Sequence, residues 1–194
     1  MISIKNILCE YKNAPIGMDE ENPRFSWQIA ADLNGVFQKE YRIQVAKKNN
    51  DFEKSLVWDS HRVMSQECIH IEYDGEELKP FTRYFYRIKI WTGKWETEWS
   101  DVHYFETGLM HYTSWQADWI SYPHKEKKNE TKPVYYFFKD INISKPVKQA
   151  RIYASALGVY NVYLGEKKVG NSYFRPRFTS YHNAIQYQCY DVTE

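Results

Sequence analysis

Polar and apolar positions alternate in short runs along this chain. In the clearest run Tyr84, Tyr86, Ile88 and Ile90 fall on one side, and Phe85, Arg87, Lys89 and Trp91 on the other. A period of two is the pattern of a strand with one face in a core. The same alternation predicts strands over Arg24–Ile29, with Phe25, Trp27 and Ile29 inward, and over Tyr41–Ala46, with Tyr41, Ile43 and Val45 inward. Shorter strands are expected at Val57-Trp58, Ile69–Glu72 and Asp101–Thr107, and an edge strand at Ile2–Tyr11. Pro23 precedes a strand where no ladder donor is lost, and Asn34-Gly35 and Asp74-Gly75 mark turns.

Ahead of the clearest strand, Leu78, Pro80 and Thr82 lead into Tyr84. A tyrosine at the start of a central strand, bonding back across the preceding corner, belongs to sandwiches of the fibronectin type III or immunoglobulin kind. Residues 1–109 are therefore expected to form such a sandwich, closed by Gly108. From 110 onward the expected strands are His111–Ser121 (linker and first strand), Tyr135–Ile143, Arg151–Ser155, Val159–Leu164 and Ile185–Val192, with Lys167–Gly170 pairing back across a turn. That is fewer than the roughly eight strands of a jelly roll. The fold class is thus all-β, a fibronectin type III-like (immunoglobulin-like) sandwich followed by an incomplete jelly-roll-type β-sandwich over 110–194.

Composition narrows the function. Aromatic residues make up 18% of the 194, including 17 Tyr and 7 Trp, and the formal net charge is +1. Aromatics favour strands, and the absence of a basic block argues against nucleic acid as a partner. No apolar run approaches the ~20 residues of a membrane span. The start lacks a signal peptide's pattern. Cys9, Cys68 and Cys189 are three and widely spaced, so a reducing, cytoplasmic setting is the simpler expectation.

Several residues invite a chemical reading. Cys68, His70 and Glu72 share one side of a strand and are metal-ligand types. The plainer reading is a solvated face with Ile69, Ile71 and Tyr73 in the core, and no metal or cofactor is expected. Trp91, Trp95 and Trp99 around Gly93 read either as a sugar platform or, more commonly, as a core or interface staple. Asp19-Glu20-Glu21 reads as a charged loop, as does 125–132. The sequons at Asn129 and Asn142 mean little without secretion. No paired carboxylates, Ser-His-Asp set or phosphate loop stands out, so no catalytic residue is expected.

A series of short stretches resembles the amino-terminal region of bacterial α-L-rhamnosidases. In the first module these are Pro15-Ile16-Gly17-Met18-Asp19, Pro23-Arg24-Phe25-Ser26-Trp27, Trp58-Asp59-Ser60, Trp99-Ser100 and Phe105-Glu106-Thr107-Gly108. In the second they are Trp115–Ile120, Ala150–Gly158, the Tyr163–Gly170 hairpin and Asp191-Val192-Thr193. Three sites depart from the family pattern, one of them His61, which stands where a glycine often follows Trp-Asp-Ser. Gly165-Glu166 stands for the usual Asn-Gly, which still permits a type II′ turn, and Pro176–Tyr181 lacks a Gly and an Asp the family carries there.

The resemblance implies a non-catalytic accessory region whose partner is the helical catalytic barrel of a longer enzyme acting on rhamnosyl glycosides. It implies a chain that stops partway through its second domain and self-associates through the exposed half. Candidate sugar contacts are Arg175, Arg177 and Tyr181, then Trp95, with domain contacts as the competing use. The alternative is a standalone carbohydrate-binding or adhesion module. The outward Arg87, Lys89 and Trp91 read as a docking surface.

Overall fold

The computed structural model describes residues 2–123 and 133–193. The loop expected over 125–132, with its Asn129 sequon, lies outside the described residues. The chain divides into two units, Met1–Ser114 and Trp115–Glu194.

The first unit is a sandwich of two antiparallel sheets. One contains β1 (Ile2–Cys9), β2 (Arg24–Ala31) and β6 (Ile71–Glu72), in the order β1-β2-β6. The other runs β4-β3-β7-β8, from β4 (Leu56–Asp59), β3 (Glu40–Ala46), β7 (Arg83–Trp91) and β8 (His103–Glu106), and β5 (Val63–Met64) also pairs with β3. Ladder register follows the alternation: Ile43 faces Ile88, Val45 faces Tyr86, and Tyr84 faces Phe105. The inward residues of both sheets interlock. Phe25, Ile43, Val45, Tyr86, Ile88, Ile90 and Phe105 have no accessible surface. Phe25 packs against Tyr86 with ring centroids 4.7 Å apart, so aromatic area and ring geometry both stabilise the centre.

Two polar devices fix this core. The Lys79 backbone N–H donates to the Tyr84 hydroxyl at 2.9 Å, making the expected corner. Trp27 Nε1 donates to Gln38 Oε1 at 3.0 Å, and Gln38 Nε2 donates to the carbonyls of Ser65 and Glu67. Gln38 is itself buried, and its amide satisfies the buried Trp27 N–H and two part-buried carbonyls. The free side of β8 is covered by residues 15–18: Glu106 N–H donates to the Pro15 carbonyl, and Met18 N–H to the Glu106 carbonyl.

Three details depart from the sequence reading. Ile69 is exposed rather than in the core, and β6 is only two residues long. His70 takes φ +58°, which interrupts the alternation and turns Ile69 outward while Cys68 packs on the core. A single helical turn, α1 (Phe52–Ser55), is capped by the Asp51 carboxylate accepting from Lys54 N–H. Strand β5 was not foreseen either.

The described residues of the second unit form three two-stranded antiparallel ladders. β9 (Arg151–Ser155) pairs with β14 (Tyr187–Asp191), β10 (Val159–Tyr160) with β13 (Arg175–Pro176), and β11 (Tyr163–Leu164) with β12 (Lys167–Lys168). The run expected over Val159–Leu164 is therefore split between two ladders. Gly165, at the first turn position between β11 and β12, has φ +57°, as a type II′ hairpin requires. Over 111–121 there is a 3-10 turn (Tyr112–Ser114) and no strand. Residues 135–143 form no strand either, and Tyr136 and Phe138 are 89% and 94% exposed. Four consecutive aromatics, Tyr135 to Phe138, supply the propensity, but a strand also needs a partner ladder, and no described residue supplies one here.

Candidate functional site

The outward face of β7 is a closed network. Arg87 donates through Nε and Nη2 to Gln44 Oε1 at 3.0 and 2.7 Å. Its guanidinium lies over Phe52 and Trp99, 4.4 Å from each ring centre. Gln44 Nε2 donates to Asp59 Oδ2, Arg42 Nε to Asp59 Oδ1 and His61 N–H to the same oxygen. Burial pushes the Asp59 carboxyl up, but these hydrogen bonds from Arg42, Gln44 and His61 outweigh it and hold the group down at about 2. These side chains are half-buried and satisfy one another.

The three tryptophans around Gly93 do different things. Trp91 Nε1 donates to Glu96 Oε2, Lys89 pairs with Glu96 Oε1 at 3.2 Å, and Arg62 stands 4.6 Å over the Trp91 ring. Trp99 carries Arg87 and Arg42 over its ring. Trp95 differs: it is 47% exposed and borders a groove of about 580 Å³ with Ile2, Leu33, Val36 and Glu98. All three rings lie near a cation, Lys94 standing 5.9 Å from the Trp95 ring centre, and of the three Trp95 alone borders the groove.

The remaining candidates of the first unit are structural. His70 Nε2 is engaged by the Tyr11 hydroxyl at 2.6 Å, beside the bidentate Arg24–Glu10 pair. Among the described residues no cluster of three metal-ligand side chains gathers. Asp19 Oδ1 accepts from Met110 N–H at 2.8 Å, tying the loop to the end of the sandwich, while Glu20 and Glu21 are exposed. The buried acid among the described residues is Glu106, paired with Arg83 at 2.9 Å. A carboxylate neutralised by an arginine in a strand is poorly suited to proton transfer.

In the second unit Arg175 lies in β13 directly opposite Tyr160, which puts both side chains on one face of the ladder. The Tyr160 hydroxyl is 3.2 Å from that of Tyr190 and donates to the Ala154 carbonyl. Arg177 is exposed, with φ +98°. The Tyr181 hydroxyl is buried without a hydrogen-bond partner. Sequence reasoning named Arg175, Arg177 and Tyr181 but missed Tyr160 and Tyr190, whose meeting depends on the pairing of β10 with β13 and the position of β14.

A half-buried polar face and a groove-side tryptophan stand on an antiparallel β-sandwich, which places the chain in the class of β-sandwich modules. The chain belongs to the family described as "Rha78A-like, N-terminal immunoglobulin domain", which matches residues 4–111, and residues 145–194 match the α-L-rhamnosidase N-terminal domain. An α-L-rhamnosidase of Formosa agariphila is 31% identical over 215 residues, covering 100% of this chain and 23% of that protein. One of Streptomyces avermitilis is 39% identical over 115 residues, covering 59% of this chain and 11% of its own length. The solved α-L-rhamnosidase of Dictyoglumus thermophilum superposes with a TM-score of 0.87 at 32% identity, covering 98% of this chain and 23% of that one. The Streptomyces avermitilis enzyme solved with L-rhamnose gives 0.63 at 27% identity, covering 99% and 20%. The chain therefore spans about a fifth of the length of most of these relatives.

Proposed function

We propose that the chain serves as the non-catalytic amino-terminal accessory region of an enzyme that removes terminal L-rhamnose from rhamnosides. The observation that carries this is the match along the full chain to a small share of a longer α-L-rhamnosidase. Its own work is to pack against a catalytic domain, and the outward β7 face with Arg87, Lys89 and Trp91 is the docking surface. The strand order β1-β2-β6 in one sheet and β4-β3-β7-β8 in the other, with β5 added on β3, supports the fibronectin type III variant of the sandwich. A reducing, cytoplasmic setting fits three cysteines spaced as widely as Cys9, Cys68 and Cys189.

Two measurements test this. The gene is read past the codon for Glu194, and the purified chain is assayed with a chromogenic rhamnoside. An open frame running into a catalytic domain, with no turnover by this chain alone, is expected. A stop codon there, or turnover by the chain, overturns the reading.

A second reading, direct contact with sugar, is favoured by Arg175 sharing a face with two tyrosine hydroxyls and by the groove at Trp95. Calorimetry with rhamnose and rhamnosyl glycosides is the test, and the absence of heat at millimolar sugar removes it.

A further inference from the structure

From Lys167 through Tyr190 the sequence contains no Asp or Glu, yet it carries Lys167, Lys168, Arg175, Arg177 and His182. None of these five side chains is in an ion pair with a described acid. Asp191, the next acid along, is held by Arg151 at 2.6 Å.

Two of the cations converge. Lys168 Nζ donates to the Ser172 carbonyl and Arg175 Nη2 to the Ser172 hydroxyl, each at 3.4 Å. Like charges brought to one residue with no carboxylate between them repel, and an anion at that point would remove the repulsion. An arginine fork beside a hydroxyl suits a planar carboxylate. Rings stand beside these charges. The Lys168 amine lies 4.1 Å from the Tyr173 ring centre, and Tyr173, Phe174 and Phe178 are largely exposed around Arg175 and Arg177. Phe174 and Arg177 hold left-handed backbone, φ +54° and +98°, which is unfavourable for bulky side chains.

We propose that Lys168, Ser172, Tyr173, Arg175 and Arg177 form a binding surface for an acidic oligosaccharide, a chain of uronic acids. A sugar carboxylate sits between Lys168 and Arg175, and a pyranose face packs on Tyr173. Cations interleaved with flat rings match a ligand that alternates carboxylates with ring faces. An acidic peptide offers the charges but not the faces. The surface deepens the sugar-contact reading and rests on it, adding that the ligand is charged.

Calorimetry on the 194-residue chain compares trigalacturonate, its methyl ester, rhamnose and a short polyglutamate. Trigalacturonate is expected to bind, to weaken at least tenfold between low and physiological salt, and to exceed the ester and polyglutamate at least tenfold. Arg177→Gln, a side chain with no hydrogen bond or ion pair to lose, and Lys168→Gln should each weaken it several-fold with the circular dichroism unchanged. If Lys168→Gln fails to fold, Arg177→Gln alone decides. Equal binding of the ester, or unchanged affinity in the variants, overturns the proposal while leaving the neutral-sugar reading standing. Equal binding of polyglutamate shows an acidic protein segment to be the partner and overturns it too. If no sugar gives heat, both fail.

Discussion

The hydroxyl of Tyr84 accepts a hydrogen bond from the backbone N–H of Lys79, five residues earlier and across the corner that turns into β7. Tyr84 has almost no accessible surface, and its ring stacks on Phe105 with centroids 5.4 Å apart. One side chain thus anchors the corner with its tip and the core with its ring. Tyr84→Phe keeps the ring and removes the acceptor, leaving a part-buried donor unpaired. A loss of about 1–2 kcal/mol is expected, seen in urea unfolding as a lower midpoint with an unchanged slope.

Gln38 is the second such anchor. Replacing it with leucine strands the Trp27 indole N–H and the carbonyls of Ser65 and Glu67 together. The expected cost is about 1–3 kcal/mol, set mainly by the buried indole N–H, since a buried unsatisfied group carries its own desolvation penalty. Gln38→Glu should recover only part of it, because the two carbonyls then face a carboxylate with no N–H to give. Thermal unfolding followed by near-ultraviolet circular dichroism ranks the three proteins.

Asp59 makes the first sandwich acid-sensitive in a defined window. Its carboxyl titrates at about 2 in the folded chain against an ordinary value of 3.8. The stability it contributes is therefore complete above about pH 4 and is lost as the pH falls through about 2. Glu10, held down first by its hydrogen bond from Arg24, adds in the same direction. Chemical denaturation from pH 5 to 2 should show falling stability. Asp59→Asn should flatten part of that slope while lowering stability at neutral pH, where Arg42 loses its partner.

Two glycines of the second unit should respond differently to alanine. Both have positive φ, +73° at Gly170 and +57° at Gly165. A Cβ at Gly165 meets open space, whereas at Gly170 it lies 2.7 Å from Tyr190 Cε1. Gly165→Ala carries only the conformational cost, about 1 kcal/mol. Gly170→Ala must also displace the Tyr190 ring from its place beside Tyr160. Hydrogen exchange in β9 and β14 should rise clearly for Gly170→Ala and little for Gly165→Ala.

Most strands of the first sandwich are legible in the chain's own pattern, though α1, β5 and the turn at His70 are not. Strand alternation is written in each segment's own side chains, so Tyr84–Ile90, Tyr41–Val45 and Phe25–Trp27 could be oriented without knowing their neighbours, and the corner tyrosine could be named. The ordered series of short stretches also sufficed to place the chain among rhamnosidase amino-terminal regions. Tertiary structure decided whatever depends on residues distant in the chain. His70 turns left-handed beside Tyr11 and puts Ile69 outside; Arg87 and Arg42 reach Trp99 and separate it in role from Trp95; β13 pairs with β10 and brings Arg175 to Tyr160. The 135–143 run shows the boundary most plainly. Its residues favour extended backbone, but ladder hydrogen bonds are made with another segment, and propensity alone does not supply one.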